Sequence, residues 1–249
     1  MTRIVILAAG KGTRMDSELP KVLVPLNGRP MIKYLLDSVV ASAVDPKPII
    51  VVSPDNKDVI SQSLSEYDLE YVVQDKILGT GHAVACTRDA LADDVDHIIV
   101  LYGDHPFLKA ESIKRFAAHQ PIALTVMPTL LPNFDDWYQN FYHWGRMVRG
   151  ADGRMEKIVE LKDASEEEKL ITEVNPGFMA FNRKWLFSNI IKLNNDNKAK
   201  EYYLTSLVNI AFEENYSVET ISIEPTEAMG INSLEELRIA ENLVGLHSS

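Results

Sequence analysis

A single cysteine, Cys86, stands in 249 residues, which excludes an internal disulfide and a cysteine-held metal cluster. Its apolar neighbours point to a packed thiol. Long hydrophobic runs are missing too. The longest, such as Ile4 to Ala9 and Ile49 to Val52, are strand-sized, and the N-terminus lacks a secretion signal's apolar core. A soluble cytoplasmic protein without membrane contact is expected. Positive charge is scarce: the formal net charge is −11 at pH 7, whereas a general nucleic-acid binder carries a basic face or excess. Also absent are a Ser/His/Asp or Cys/His constellation, the Gly-Lys-Ser/Thr that closes a P-loop, and the third glycine of a dinucleotide fingerprint, whose place Met15 takes.

What is present begins with a strand, a glycine turn and spaced cations: Arg3-Ile-Val-Ile-Leu-Ala-Ala-Gly-Lys-Gly-Thr-Arg-Met15, then Leu19-Pro20-Lys21-Val-Leu-Val-Pro25. Small residues let backbone N–H groups approach a phosphate chain, and Arg14 and Lys21 supply the charge that attracts it. By itself the turn also fits a strand-to-helix connection whose glycines only relieve backbone strain. Residues 1 to 33 carry Arg3, Lys11, Arg14, Lys21, Arg29 and Lys33 against Asp16 and Glu18. A local basic patch on an acidic chain suits a small anionic ligand, although Arg3, Arg29 and Lys33 also read as solvated surface charge.

With 46% hydrophobic residues the chain can bury a large core as one domain. Ile4 to Ala8 reads as a strand. Pro30 then opens a helix whose apolar positions, Met31, Ile32, Leu35, Leu36, Val39, Val40 and Ala43, recur at helical spacing. Further strands are expected at Pro48 to Ser53, Leu69 to Val73, His97 to Tyr102 and Ile122 to Met127, with helices near 55 to 65, 81 to 91 and 109 to 118. Such alternation predicts an α/β, Rossmann-like fold with a largely parallel sheet and a ligand crevice at the strand carboxyl ends.

After about residue 130 the pattern changes. The stretch from Asn133 to Trp144 is aromatic, polar and without clear period, so a loop is expected, feeding a hairpin of Arg146 to Arg149 and Arg154 to Glu160. Ser165 with Glu168, and Ser233 with Glu236, form capping boxes; the second opens a last helix with Leu234, Leu237, Ala240, Leu243 and Val244 on its apolar face. Asp104 directly follows an apolar strand. Its carboxylate can hold a hard cation such as Mg²⁺, or serve as a cap or Asx turn. Gln74 and the turn Leu78-Gly-Thr-Gly-His-Ala83 can read a base edge, while His82 itself reads as an ordinary surface or core residue.

Leu7-Ala-Ala-Gly-Lys-Gly-Thr-Arg-Met15 with Pro20-Lys21-Val-Leu resembles the signature of the sugar-phosphate nucleotidyltransferases. Gln74 with Leu78 to Ala83, Tyr102-Gly-Asp104, Gly145-Arg146, Ile158 to Ala164, Glu201-Tyr-Tyr-Leu-Thr205 and Gly230-Ile-Asn232 narrow the resemblance. In order, and over nearly the whole chain, they are similar to the uridyltransferase part of the bacterial N-acetylglucosamine-1-phosphate uridyltransferases. The resemblance implies a nucleotide-binding part near 1–127, a smaller, β-rich sugar-binding part near 128–232 and a C-terminal helix near 233–246. It implies triphosphate contacts from Arg14 and Lys21, and catalytic roles for these two and Asp104. Nucleotide contacts would come from Leu7, Ala8, Ala9, Gly10, Gly12, Thr13, Gln74, Gly79 and Thr80, and sugar contacts from Tyr102, Gly145, Glu160, Asn175, Tyr203 and Thr205. Asp104 and Asn232 would ligate Mg²⁺.

The implied reaction is attack of a sugar 1-phosphate oxygen, most simply that of N-acetylglucosamine 1-phosphate, on the α-phosphorus of UTP with release of pyrophosphate. An anionic nucleophile needs no general base. Another nucleotide or sugar, and a catalytically silent nucleotide-sugar binder of the same fold, stand as alternatives. Three departures bear on the sugar. Pro132 to Trp144 is longer than the family's connection, Pro176 follows Asn175, and Asn197-Lys-Ala-Lys200 replaces Asn-Ala-Gln-Gly; Lys198 and Lys200 read as surface charge. No hexapeptide repeat of the kind that carries acetyl transfer occurs, so no acetyltransferase activity and a monomer or dimer are expected.

Overall fold

A computed structural model describes residues 1–10, 15 and 17–247. The first strand, β1 (Thr2–Leu7), is buried along nearly all its length. A 3-10 turn at Lys21–Leu23 leads to a small hairpin of β2 (Pro25–Leu26) and β3 (Arg29–Pro30). Asn27 and Gly28 close it, both at positive φ (47° and 79°), as the tightest hairpin turn demands. The helix announced by Pro30 is α1 (Met31–Ser42), ended by Ala43 in a left-handed conformation.

Strands and helices then alternate: β4 (Ile49–Val52), α2 (Lys57–Ser63), β5 (Glu70–Val73), α3 (Thr80–Ala85), β6 (His97–Tyr102), α4 (Ala110–Ala118) and β7 (Leu124–Val126). The helix expected over 81 to 91 stops at Ala85, and its remainder is a 3-10 turn at Arg88–Ala90. Next come β8 (Thr129–Leu130), β9 (Gly145–Arg149), β10 (Met155–Val159), β11 (Glu173–Asn175), β12 (Met179–Asn182), α5 (Arg183–Asn189), α6 (Leu207–Glu213), β13 (Glu219–Thr220), α7 (Pro225–Ala228) and α8 (Leu234–His247). Among the described residues no helix is long and apolar enough to cross a membrane.

The main sheet has the order β13-β7-β12-β6-β1-β4-β5. All its pairings are parallel except those of β12, which runs against both neighbours. The fold is a Rossmann-like α/β fold with a mostly parallel sheet. Period-two alternation gives each face its own core. Ile4, Ile6, Ile50, Val52, Ile99 and Leu101 pack on one side with α1 and α4. Val5, Leu7, Ile49, Val51, Ile98 and Val100 pack on the other with α3, α5 and α6. The second sheet, β10-β9-β11-β8, is antiparallel and contains the expected hairpin. The region from 128 to 232 is thus divided, because β12 and β13 return to the main sheet.

Four local expectations are corrected. The aromatic stretch is a 3-10 segment over Asp136–His143 rather than a loop; its side chains interlock, as in the Phe141–Trp144 ring contact at 4.6 Å. The box at Ser165 closes reciprocally with Glu168, yet opens only a 3-10 turn at Glu168–Leu170. Leu234 is exposed, whereas Ala240 is fully buried. At the second box Ser233 Oγ accepts from Glu236 N at 3.2 Å, and the Glu236 carboxylate accepts from Asn232 N instead of Ser233 N.

Candidate active site

The chain leaves β1 for β4 and β5 on one side and returns with β6 on the other. The carboxyl ends of β1 and β6, where Leu7 faces Tyr102 across the register, therefore flank a switch point, the place where open α/β sheets bind ligands. The backbone is pinned here. Ala8 N donates to Val51 O at 2.8 Å, Asn56 Nδ2 to Ala8 O at 3.0 Å and Gly103 N to Leu7 O at 3.0 Å. Ala8 and Ala9 are buried, Gly10 is exposed, and among the described residues nothing stands within 4 Å of a Cβ placed on Gly10. Gly12, Thr13 and Arg14 lie outside the described residues, as do Lys11 and Asp16.

Lys21 reaches the same edge from its 3-10 turn. Its ammonium donates to Asp104 Oδ2 and, at 2.6 Å, to Asn232 Oδ1. Ile231 N donates to Asp104 O at 2.9 Å, which seats Asn232 beside Asp104. Burial works against the Asp104 carboxylate, but the Lys21 ammonium, together with His105 and a backbone hydrogen bond, holds the carboxyl below its usual range. Among the described residues no group of three or more His, Cys, Asp or Glu side chains converges. One carboxylate and one amide oxygen still suit Mg²⁺, which takes hard oxygen donors, keeps several waters and completes its shell with substrate phosphates. Of the cations expected in a basic patch, Arg3 is corrected, being buried rather than solvated, while Arg29 and Lys33 sit in ion pairs away from the crevice. Arg3 is buried and paired with Asp45 at 3.0 Å and Glu70 at 3.2 Å; Arg29 pairs with Asp37 and Lys33 with Glu66. Of the described cations among those six, Lys21 alone serves this crevice.

Beside this cluster lies the turn at residues 78–82. Gln74, 2% exposed, donates from Nε2 to Gly79 O at 3.1 Å and meets His82 Nδ1 at 3.0 Å. Gly79 has φ 104° and ψ 177°, a region essentially reserved for glycine. A Cβ there would stand 2.7 Å from Tyr202 O. This close approach joins the turn to the sugar-side segment: Tyr202 N donates to Leu78 O and Gly81 N to Tyr202 O, both at 2.8 Å. Thr80 is committed as well, since its Oγ1 accepts from Leu204 N at 3.0 Å. Burial raises the Tyr102 phenol, which stays protonated.

The expected sugar-side residues gather across the crevice. Asn175 pairs in register with Gly145 and turns its Oδ1 to Gly177 N at 2.9 Å. A Cβ on Gly145 would stand 3.5 Å from Glu160 Oε1, so these two share one wall. Glu160 and Tyr203 line a cavity of about 930 Å³ with His143, Lys198 and Lys200. Both lysines therefore border the cavity in which the sugar is expected. An adjoining cavity of about 420 Å³ adds Thr205 and Asn209. Burial pushes the Glu160 carboxyl up, and Asp163 adds to the shift. Burial and the nearby Glu201 and Glu160 carboxylates raise the Tyr203 phenol.

Sequence reasoning passed over two contributors. His82 touches the buried Gln74 amide, a contact that its helical position alone does not reveal. His143 borders the sugar-side cavity from within the aromatic stretch, whose irregular spacing hides its direction.

A family profile, MobA-like NTP transferase domain, matches residues 4–176. Among curated proteins, the chain is similar to bifunctional protein GlmU of Caldicellulosiruptor saccharolyticus, with 37% identity over 95% of this chain and 50% of that one. GlmU of Pseudomonas fluorescens gives 40% over 94% of this chain and 50% of that one. GlmU of Desulfotalea psychrophila gives 36% over 96% and 69%. The chain thus spans about half the length of most curated relatives it matches.

Proposed function

From the membership of this chain in the MobA-like NTP transferase domain family, a family of nucleotidyltransferases, we propose that it transfers a uridylyl group from UTP to a sugar 1-phosphate, N-acetylglucosamine 1-phosphate before others. The observation that carries the reading is the meeting of Lys21, Asp104 and Asn232 at the switch point. A buried amide lies to one side and a polar cavity to the other. The resemblance of the ordered motifs supplies the choice of uridine and of the amino sugar.

An anionic phosphate oxygen of the sugar 1-phosphate forms the new bond to the α-phosphorus, and the bond from that phosphorus to the bridging oxygen breaks, releasing pyrophosphate. No proton need be removed from the nucleophile. The chain's task is to hold two anions in line and to offset the charge that builds on the leaving group. Lys21 offers its ammonium to the phosphate chain. Gln74 reads the base from its buried place. Glu160, Asn175, Tyr203 and Thr205 offer the hydrogen-bond partners that hydroxyls and an amide require. Asp104 and Asn232 would hold Mg²⁺, which supplies charge neutralisation on the phosphates.

Pyrophosphate release, measured with Mg²⁺ across four nucleoside triphosphates and several hexose 1-phosphates, tests the reading. The highest kcat/KM is expected for UTP with N-acetylglucosamine 1-phosphate. A preference for another nucleotide sinks the uridylyl assignment. Binding of nucleotide without turnover in any combination sinks the transfer itself.

A further inference from the structure

The polarity of the Gln74 amide can be read from its neighbours. Gly79 O has no proton to give and lies 3.1 Å from one end of the amide, so that end is the NH₂ group. The same nitrogen is 3.0 Å from His82 Nδ1. Nδ1 must therefore accept, which places the imidazole proton on Nε2 and leaves the ring neutral. Cys86 Sγ, one helical turn further on, lies 3.9 Å from the same Nδ1. Burial raises its thiol, which stays protonated, so a second, weak donor points at the same lone pair. Both amide protons of Gln74 are thereby engaged, and among the described residues its Oε1 is left as the free function of a side chain only 2% exposed.

We infer that His82 is a positioning residue for base selection: as an Nε2-protonated acceptor it holds the Gln74 amide with Oε1 presented to the base. A base that offers N–H at its central reading position, as uracil does at N3, satisfies this acceptor. Cytosine brings a lone pair to that position and sets acceptor against acceptor, leaving two buried groups unsatisfied. Without the Nδ1 acceptor the amide loses one of the two contacts that fix its orientation, and discrimination falls. The inference rests on the reading of Gln74 as the base-reading group.

Two variants and one spectrum test it. His82→Leu removes the acceptor, whereas His82→Asn returns an oxygen near the position of Nδ1. For His82→Leu the ratio of kcat/KM for UTP over CTP is expected to fall by about tenfold to a hundredfold, through KM for UTP rather than kcat. His82→Asn is expected to recover most of the ratio. In ¹⁵N-histidine-labelled wild-type protein, the His82 ring should show an unprotonated Nδ1 and a protonated Nε2. A folded His82→Leu variant with the wild-type base ratio overturns the inference, as does a protonated Nδ1. A wild-type enzyme without preference for UTP defeats the uridylyl reading instead, and the spectrum still decides the arrangement of His82.

Discussion

Lys21 shows how much one side chain can carry. Its side chain is 14% exposed, and it holds the Asp104 carboxylate and the Asn232 amide oxygen at once. Replacing Lys21 with Ala, or Asp104 with Asn, should lower kcat by about a hundredfold to a thousandfold, the usual cost of losing one electrostatic contact to a transition state. Far-ultraviolet circular dichroism should still report a folded chain. A folded variant with near wild-type turnover removes that residue from the chemistry. Lys21 and Asp104 are legible in the sequence because each sits a fixed step beyond an apolar strand or glycine turn. Arg3 is not, since only the fold reveals that Asp45 and Glu70 wait for it.

Glu160 sets function against stability at the same scale. Burial and Asp163 raise its folded-state pKa, so between the unfolded value of about 4.3 and that raised value the native protein binds more protons than the unfolded chain. Stability therefore declines as pH rises through this window and stays lower above it. Glu160→Gln is expected to be more stable than wild type at neutral pH, with the advantage vanishing below about pH 4. Urea unfolding at several pH values checks this. The same variant should raise KM for the sugar 1-phosphate by about tenfold or more, as the loss of a charged hydrogen-bond partner costs.

At the scale of elements, the least predictable segment is held by one buried guanidinium. Arg146 is fully buried in β9. It donates to the carbonyls of Trp144, Tyr142 (2.8 Å) and Lys169 (3.5 Å) and lies over the rings of Phe134 and Tyr142. These bonds explain why the aromatic stretch folds as a 3-10 segment although it lacks periodicity: its order comes from a residue beyond its end. Arg146→Lys keeps the charge but loses the fork, and should cost about 2–4 kcal/mol in urea unfolding. An unchanged midpoint would mean that the aromatic rings suffice.

Lys200 is the opposite case. It adopts φ 57°, at the position where the family pattern has glycine, and a side chain there costs about 1–2 kcal/mol. Lys200→Gly should stabilise the chain by about 0.5–1 kcal/mol after glycine's greater unfolded-state freedom is subtracted. Thermal unfolding measures the gain, and a rise in KM for the sugar 1-phosphate would add a substrate contact to what reads as surface charge. The parallel strands β1, β4 and β6 were legible because each is a buried apolar run of ordinary length, and the half-buried edge strand β5 because Tyr71, Val72 and Val73 are strand-favouring residues. β2, β3, β8 and β13 span only two residues each, too short for an alternation to show, and depend on neighbours elsewhere in the chain.

Across the whole molecule, the two sheets draw on shared cores. Phe141 and Val174, from the sugar side, belong to the same buried cluster as Ile6 and Ile99. Met147 and Met155 belong with Val100 and Val126 on the other face. The antiparallel sheet therefore has little apolar mass of its own, and the backbone bonds of Tyr202 to Leu78 and Gly81 tie its side of the crevice to the base-side turn. Such an arrangement predicts one cooperative unit, in keeping with the absence of any linker in the sequence. The three tryptophans allow a direct test. Trp137 and Trp144 report on the aromatic segment, and Trp185 reports on α5. In a Trp185→Phe background, urea transitions followed by fluorescence and by far-ultraviolet circular dichroism should coincide. An earlier fluorescence change at full helical signal would show that the sugar side opens by itself, and selection of the sugar would then rest on a region that must order around its substrate.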